Sequence, residues 1–287
     1  MIIVKIIGGL GNQMFQYAYS KSLIQKSLKV KIDISIFDTY KLHGGYQLNK
    51  YNIDLENSSL EENNNYYSNS FMYKILIKLG FNKSKVVKEK SLLFDDKLVS
   101  IEDNNYIEGY FQNEKYFLSI RDELIANFTI KCDVSKYTQQ ISKQILAENI
   151  SASLHIRRGD YISNTDTNNV HGTCDLEYYK RAMSMMNGKY KEIRYFIFSD
   201  DIAWVKENLE VENAVYIDSK EKRIPHEDIY LMSLCSHNII ANSSLSWWGA
   251  WLNQNDDKTV IAPKRWFSDE IMFNQSNDIV PTKWIKI

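Results

Sequence analysis

Cysteine is scarce in this sequence, and the few that are present form no recognisable pattern. The chain contains three cysteines, Cys132, Cys174 and Cys235, which are far apart and form no CxxC pair. Such spacing favours neither a disulfide framework nor a cysteine zinc site. We therefore expect a reduced, cytoplasmic protein.

Long hydrophobic runs and an excess of charge are also absent. No stretch reaches the roughly 20 apolar residues needed to cross a bilayer. The first segment, "MIIVKII", breaks at Gly8 and Gly9, and so predicts a strand rather than a signal peptide. The 35 basic and 36 acidic residues give a net charge of -1, without the broad positive field that nonspecific nucleic-acid binding requires. We expect no nucleic-acid partner, and any bound anion must be held by a local cluster.

Motifs for metal binding are missing as well. The sequence contains no Asp-x-Asp, and no grouping of His, Cys, Asp and Glu has the spacing of a catalytic metal site. We expect no metal cofactor, so arginines and helix dipoles would have to neutralise any bound diphosphate.

The order of predicted elements indicates an α/β fold. A strand over residues 2–7, the turn "GGLGNQ", a helix over Met14–Leu28 and a strand over residues 30–34 form one βαβ unit. From residue 150 onward, strands and helices alternate, which predicts a parallel, doubly wound sheet. The predicted strands there are 150–156, 194–199, 214–217, 238–241 and 259–262, and the predicted helices are Leu176–Met186, Ile202–Leu209, Pro225–Cys235 and Trp247–Leu252.

The length of 287 residues and the hydrophobic content of 44% allow two domains. We predict domains over residues 1–149 and 150–287. In the second domain, three polar loops follow predicted strands: Arg157–Asp160, Asp200-Asp201 and Asn242–Ser246. Because ligands bind beyond the carboxyl ends of such strands, these loops predict a binding edge.

The turn "GGLGNQ" joins a predicted strand to a predicted helix. Backbone N–H groups in such a turn can face an anion, and a tight turn without a ligand is the alternative. A nicotinamide-dinucleotide fingerprint would place a third glycine at position 14, where this chain has Met14, although Asp33 lies where a ribose-binding acid would.

The stretch "HIRRGDY", residues 155–161, places two arginines after a predicted buried strand. Arginine forks pair bidentately with phosphate oxygens, which lysine cannot do in the same geometry. If the strand persisted, Arg157 would lie on the same side as His155. Asp160 could orient an arginine or accept a proton. A salt-bridge cluster without a ligand is the alternative.

Two further stretches carry polar side chains at strand ends. Ser199, Asp200 and Asp201 in "FSDD" either cap a helix or accept hydrogen bonds from a purine or ribose. In "NSSLSWWGAWL", the serines and the helix-start amides are candidate phosphate ligands, and the tryptophans at helical spacing predict core packing.

Together these motifs resemble, in order along the chain, those of the α-1,2-fucosyltransferases of glycosyltransferase family 11. The resemblance spans Gly8 to Leu252. It implies a GT-B architecture, with two facing Rossmann-like domains and a donor cleft between them. In this architecture residues 1–149 would form the acceptor side and residues 150–287 the GDP-fucose-binding domain. It also implies inverting, metal-independent transfer of L-fucose from GDP-β-L-fucose to the 2-hydroxyl of a terminal galactose, which forms an α-1,2 linkage.

The resemblance also implies roles for individual residues. Arg157 matches the arginine that holds the donor β-phosphate, and Asp200 or Asp201 matches an acid near guanine. No motif fixes the catalytic base, for which Asp160 and Asp33 are both candidates. The predicted catalytic residues are Arg157, Asp160 and His155, and the predicted donor-binding residues are Gly9, Gly11, Asn12, Arg157, Arg158, Ser199, Asp200, Asp201, Asn242, Ser243, Ser244 and Ser246.

The expected partners are GDP-fucose and a galactose-terminated glycan, either a free oligosaccharide or an O-antigen intermediate. Peripheral docking at the inner face of a membrane stays open, although the near-neutral charge does not support it. Another GDP-sugar transferase on the same scaffold and a noncatalytic glycan-binding protein are the alternatives. The sequence does not predict the oligomeric state.

Overall fold

The computed structural model describes residues 1–26, 28–66, 86–159, 170, 172–218 and 224–287. The chain divides into two compact units, Met1–Lys131 and Cys132–Ile287. This division lies earlier than the predicted boundary at residue 149. The reason is that the helix Lys136–Ala147 packs against the helix Pro225–Leu234 of the second unit.

The first unit contains a parallel four-stranded sheet in the order β2-β1-β4-β3. Strand β1 lies in the centre, with Ile3 opposite Lys31 of β2 and Tyr106 of β4. The β1 side chains Ile2, Ile3 and Val4 are fully buried, which explains the apolar start of the sequence. The strands are β1 (Ile2–Lys5), β2 (Val30–Asp33), β3 (Val86–Lys88) and β4 (Tyr106–Glu108).

Helix α1 follows β1 through the glycine turn and is the longest described helix of this unit. It begins at Leu10, earlier than the predicted Met14, because the turn itself supplies its first residues. The other helices are α2 (Leu60–Asn64), α3 (Asp96–Val99) and α4 (Arg121–Asn127), after α1 (Leu10–Ile24), and short 3-10 helices span Ser35–Asp38, Leu42–Gly44, Leu48–Lys50, Glu114–Tyr116 and Leu118–Ile120.

The second unit contains a parallel six-stranded sheet in the order β10-β9-β8-β5-β6-β7, as its alternating sequence predicts. The two-residue edge strand β10 is too short to predict from periodicity. The strands are β5 (Ser151–Ile156), β6 (Arg194–Ser199), β7 (Ala214–Tyr216), β8 (His237–Ile239), β9 (Val260–Ala262) and β10 (Ile285–Lys286).

The helices of the second unit confirm the predicted alternation, and α9 begins three residues before the predicted start at Trp247. They are α5 (Lys136–Ala147), α6 (Leu176–Lys189), α7 (Ile202–Asn208), α8 (Pro225–Leu234), α9 (Ser244–Leu252) and α10 (Glu270–Asn274). In the part of the chain that the structure describes, no helix combines the length and apolar character needed to span a membrane.

Helix α5 is fixed to α8 by a buried carboxylate. Glu227 accepts hydrogen bonds from the Ser135 backbone N–H at 2.7 Å, the Ser135 hydroxyl at 2.8 Å and the Thr138 hydroxyl at 2.6 Å. Burial opposes ionisation of Glu227, but these hydrogen bonds outweigh it and hold the pKa of the carboxyl below its ordinary value. The contact explains why residues 132–149 belong to the second unit.

Candidate functional site

The candidate site lies at the carboxyl edge of the second unit's sheet. Strand β5 lies between β6 and β8 and runs parallel to both. The register pairs Ile156 with Ser199 and Leu154 with Ile239. The polar loops after these three strands therefore leave the sheet at the same edge, as the sequence predicts.

Arg157 is held in place by Asp200. Its Nη1 atom lies 3.0 Å from Oδ2 of Asp200, and the two side chains are 25% and 18% exposed. The other carboxylate oxygen of Asp200 accepts a hydrogen bond from the Arg158 backbone N–H at 2.9 Å. One carboxylate thus fixes both the guanidinium and the loop that carries it, and a guanidinium has five N–H donors, so this pairing does not use its whole capacity.

Gly159 completes this arrangement. A Cβ atom at this position would lie 2.8 Å from Oδ2 of Asp200 and 3.1 Å from its Cγ. Any larger residue would therefore displace the carboxylate that holds Arg157. The glycine in "RRGD" serves close approach of the loop to Asp200.

Arg158 has a different environment from Arg157. Its guanidinium carbon lies 3.4 Å from the centroid of the Trp204 ring, a close cation–π contact. Its Nε atom is 3.6 Å from Oδ2 of Asp201. Both arginines therefore face a carboxylate, which is the arrangement of the salt-bridge alternative. Strand β5 ends at Ile156, so strand alternation does not determine where either arginine points.

The two adjacent aspartates have separate structural roles. Asp201 caps α7, because its Oδ1 atom accepts a hydrogen bond from the Trp204 backbone N–H at 3.2 Å. Its own N–H donates to the hydroxyl of Ser199, which is 1% exposed, at 3.0 Å. The capping interpretation is thus correct for Asp201, whereas Asp200 holds the arginine loop.

Two polar side chains of the loop before α9 and of its first turn donate hydrogen bonds to backbone carbonyls of the protein. The Asn242 side-chain amide donates to the carbonyls of Gly172 and Trp266, both at 3.1 Å. The fully buried Ser246 donates to the carbonyl of Ser243 at 3.3 Å. These hydrogen bonds hold the loop together.

The start of α9 keeps its capacity to bind an anion. Ser243 is the N-cap residue, and its side chain makes no capping hydrogen bond. The first turn of α9 contains no acidic residue, and Ser244 is half-buried. Backbone N–H groups at such a helix start, with the positive end of the helix dipole, suit a phosphate.

The tryptophans after this loop pack in the core, as predicted. Trp247 and Trp248 are fully buried, with ring centroids 5.0 Å apart. The Trp247 Nε1–H donates to the carbonyl of Ile279 at 2.8 Å. The "SWWGAW" stretch therefore anchors α9 and fixes the direction of its N-terminus.

The other two predicted catalytic residues are His155 and Asp160. His155 is fully buried in β5, one residue before the strand ends at Ile156. Asp160 lies outside the described residues. Arg157 is the predicted catalytic residue that the structure does place at the edge.

The glycine turn of the first unit is built as the sequence predicts, but its polar side chains point to partners inside the unit. Gly8 has a φ of 88°, which favours glycine, and Gly9 is the N-cap residue of α1. Gly11 is buried in the first turn of α1. The Asn12 Oδ1 atom accepts a hydrogen bond from the Gln112 side chain at 2.8 Å.

Asp33, the second candidate base, is 5% exposed. Its carboxylate accepts hydrogen bonds from the Tyr106 hydroxyl at 2.5 Å and the Ser35 backbone N–H at 2.8 Å. Asp33 is therefore buried and hydrogen-bonded inside the first unit. In the described part of the chain, no cluster of three or more His, Cys, Asp or Glu side chains is arranged to hold a metal ion.

The sequence motifs did not predict the residues that hold other side chains and loops in place. Trp204 stacks on Arg158, and Gln13 and Gln16 of α1 hold neighbouring loops while fully buried. The two glutamines could have been recognised from the sequence, because they lie in an apolar helix and a buried amide needs hydrogen-bond partners.

Comparison with known proteins identifies the family. The sequence model described as "Glycosyl transferase family 11" matches residues 1–287. The chain belongs to this family. The motifs that carried the resemblance lie on the strand ends and helix starts described above, and the enzyme is a family 11 glycosyltransferase.

Two bacterial relatives match this glycosyltransferase over almost its whole length. The alpha-1,2-colitosyltransferase of Escherichia coli is 34% identical over 300 residues, which cover 100% of this chain and 99% of the relative. The O-antigen biosynthesis glycosyltransferase WbnK of Escherichia coli is 32% identical over 304 residues, or 98% of each chain. The galactoside 2-alpha-L-fucosyltransferase SEC1 of Bos taurus is 24% identical over 152 residues, 51% of this chain and 41% of the relative.

Among solved structures, the glycosyltransferase is similar to NodZ alpha-1,6-fucosyltransferase soaked with GDP-fucose. The TM-score is 0.50 at 11% identity, over 88% of this chain and 92% of that chain. At this identity the likeness concerns the fold alone. The predicted α/β class, with two Rossmann-like units of the GT-B type, is confirmed.

Proposed function

We propose that this glycosyltransferase transfers L-fucose from GDP-β-L-fucose to the 2-hydroxyl of a terminal galactose, with inversion, to form an α-1,2 linkage. The acceptor would be an O-antigen intermediate or a related oligosaccharide. Family membership and the names of the two full-length relatives support the α-1,2 linkage and the O-antigen acceptor. The choice of fucose and of a galactoside acceptor is supported by the name of the relative SEC1, which matches 51% of this chain. The observation that carries it is the position of Arg157, held by Asp200 at the same sheet edge as the start of α9.

The local charges explain how a diphosphate would be stabilised there. Two arginines face two aspartates, so the cluster formed by Arg157, Arg158, Asp200 and Asp201 has no net charge. Stabilisation of the diphosphate must therefore come from hydrogen-bond donors that point at its oxygen atoms, and not from a net positive charge. Under this proposal, Arg157 and the first-turn amides of α9 donate to the phosphates without help from a metal ion.

This arrangement would lower the barrier of the transfer step. As the bond between the anomeric carbon and the phosphate oxygen lengthens, negative charge grows on the β-phosphate. Donors that are already oriented toward that oxygen stabilise the charge without reorganising. Losing one such donor typically costs about 3 kcal/mol of transition-state stabilisation.

Transfer of colitose is the second candidate, because the relative that is 34% identical over the full chain is an alpha-1,2-colitosyltransferase. Colitose is L-fucose without its 3-hydroxyl. A site that hydrogen-bonds this hydroxyl would reject colitose strongly, whereas an apolar site would discriminate weakly. Parallel assays with GDP-fucose and the GDP ester of colitose distinguish the two donors.

The first experiment is calorimetric titration of the purified protein with GDP and GDP-fucose in EDTA, with GDP-mannose and NAD as controls. We expect the guanine nucleotides to bind, and NAD to give no signal. A folded protein that binds no GDP ligand would contradict the proposal. Binding of GDP-fucose only after addition of a divalent cation would contradict its metal-independent form.

The second experiment determines whether the donor is consumed. The enzyme is incubated with GDP-fucose and galactose-terminated oligosaccharides, and the product linkage is read by nuclear magnetic resonance. An α-1,2-fucosylated galactose is the expected product. Binding without any donor consumption would favour a noncatalytic glycan-binding protein instead.

A further inference from the structure

Asn242 lies where the chain leaves β8 and turns into α9. Its amide nitrogen donates to the carbonyls of Gly172 and Trp266, both at 3.1 Å, and its Oδ1 atom accepts a hydrogen bond from the Cys174 thiol at 3.5 Å. Asn242 is 4% exposed. One buried side chain thus joins three segments of the second unit: the loop before α9, the segment that contains Gly172 and Cys174, and the loop after β9.

The two segments that Asn242 reaches are also packed against each other. The backbone N–H groups of Ser268 and Asp269 donate to the carbonyl of Val170 at 3.0 and 3.2 Å. Gly172 has a φ of 61°, in the left-handed region that favours glycine, and a Cβ atom there would overlap the Ser268 hydroxyl. A side chain at position 172 would therefore push apart the two segments that supply the acceptors for Asn242.

The backbone around Asn242 forms a tight turn at the entrance to α9. The Ser243 N–H donates to the carbonyl of Ala241 at 2.8 Å, so Asn242 is the central residue of this turn. Ser243 is the N-cap residue of α9 and makes no capping hydrogen bond through its side chain. The direction of the first-turn N–H groups therefore depends on how the turn is anchored, and Asn242 is its anchor.

A second buried asparagine holds the other end of the same helix. Asn253 is 1% exposed and donates to the Cys235 carbonyl at 2.7 Å and to Oδ1 of Asn238 at 2.8 Å. These contacts place it beside the start of β8, whereas Asn242 lies beyond the carboxyl end of that strand. The two residues are a matched pair, with the same chemistry and similar burial at opposite ends of α9.

We propose that Asn242 is a positioning residue for the donor diphosphate: it holds the start of α9 so that the first-turn N–H groups point at the phosphates, and it does not donate to them itself. The inference rests on the proposed function. The two N–H groups of an amide are its whole supply of donors, and here the carbonyls of Gly172 and Trp266 receive them. A misplacement of about 1 Å in such a site can cost about 100-fold, so a looser turn should weaken donor binding.

The test compares Asn242→Leu with Asn253→Leu, because leucine is close to asparagine in size, is uncharged and has no N–H donor in its side chain. Both variants leave buried carbonyls without a partner, so both should have lower melting temperatures than wild type. At a temperature below both transitions, calorimetry should show GDP affinity about tenfold weaker in Asn242→Leu and within about twofold of wild type in Asn253→Leu. In transfer assays, KM for GDP-fucose should rise in Asn242→Leu while KM for the acceptor stays unchanged.

Gly172→Ala breaks the same anchor from the other side, because its Cβ displaces the carbonyl that Asn242 binds. It should also weaken GDP binding by about tenfold. The double variant Asn242→Leu/Gly172→Ala should bind GDP about as weakly as either single variant, since both changes remove one shared contact. Losses that add in the double variant would show that Asn242 meets the diphosphate directly, and would overturn the positioning role.

The remaining outcomes separate the inference from the proposed function. Equal GDP affinity in Asn242→Leu and Asn253→Leu would overturn the inference alone, because the amide would then serve the fold like its counterpart. Asn242→Ser, a smaller uncharged change, replaces the leucine variant in the same comparison if that variant does not fold. A folded wild-type enzyme that binds no GDP would overturn the proposed function as well.

Discussion

Asp200→Asn tests whether a single carboxylate positions Arg157, the arginine that we propose donates to the phosphates. In the wild type, one carboxylate oxygen of Asp200 lies 3.0 Å from the Arg157 Nη1 atom, and the other accepts a hydrogen bond from the Arg158 backbone N–H at 2.9 Å. Asparagine has a single side-chain oxygen, which can occupy one of these two positions. One of these contacts must be lost, and an N–H group then faces another donor. The shape of the side chain stays nearly the same, so the change acts on charge and hydrogen bonding.

The size of the expected loss of kcat follows from how deeply Arg157 and Asp200 are buried. Hydrogen bonds to charged groups contribute about 1.5–3 kcal/mol. Arg157 and Asp200 are 25% and 18% exposed, so solvent screens part of this interaction energy. The contribution that remains is about 1–2 kcal/mol. If that energy holds the guanidinium in its transition-state position, kcat falls by about 5- to 30-fold.

The assay is GDP release at saturating GDP-fucose and acceptor, with folding checked by circular dichroism. Asp201→Asn is the control, because asparagine caps a helix as well as aspartate does and the Arg158 contact is long at 3.6 Å. Its kcat should stay within about twofold of wild type, as expected for a long ion pair whose carboxylate is 40% exposed. Full kcat in Asp200→Asn, or an equal loss in Asp201→Asn, would refute the reasoning.

Three further outcomes are expected. Arg157→Lys keeps the charge but loses the fork, and should lower kcat by about 100-fold or more in the same assay; near-normal activity would exclude a bidentate role. Gly159→Ala should lower kcat by about tenfold, because its Cβ displaces Asp200, and an unchanged kcat would show that the loop can adjust. Glu227→Gln should lower the free energy of unfolding by about 1–3 kcal/mol at pH 7, measured by urea titration. Since the folded-state pKa of Glu227 is depressed, this contribution is present above its ordinary value of 4.5 and is lost as pH falls below it; a difference between the two proteins that does not change with pH would contradict this account.

Much of the second unit could be predicted from its sequence. Strand β6 occupies the predicted residues 194–199, and α6 and α8 begin at the predicted Leu176 and Pro225. Buried parallel strands are short continuous apolar runs and the helices between them are amphipathic, so local sequence contains the signal. The first unit gave a weaker signal, because β3 and β4 have three residues each and lie among short 3-10 helices.

The site was predicted at the level of loops but not of side-chain roles. The sequence places Asp200 and Asp201 next to each other with the same chemistry. Only the fold makes one of them hold Arg157 and the other cap α7. In the same way, Ser244 and Ser246 look equivalent in "NSSLS", but helix geometry buries Ser246 fully and leaves Ser244 half-buried.

The sequence by itself determined the α/β class, the polar loops at one sheet edge and the family, because periodicity and motif residues are local properties of the chain. The tertiary structure alone decided that Gln13 holds the loop around Gly45, since the Gly45 carbonyl that it binds lies 32 positions along the chain. It also decided that His155 is buried, and that Asp200 reaches back to Arg157 from the neighbouring strand. Such roles depend on which distant groups meet after folding, and no local pattern in the chain specifies them.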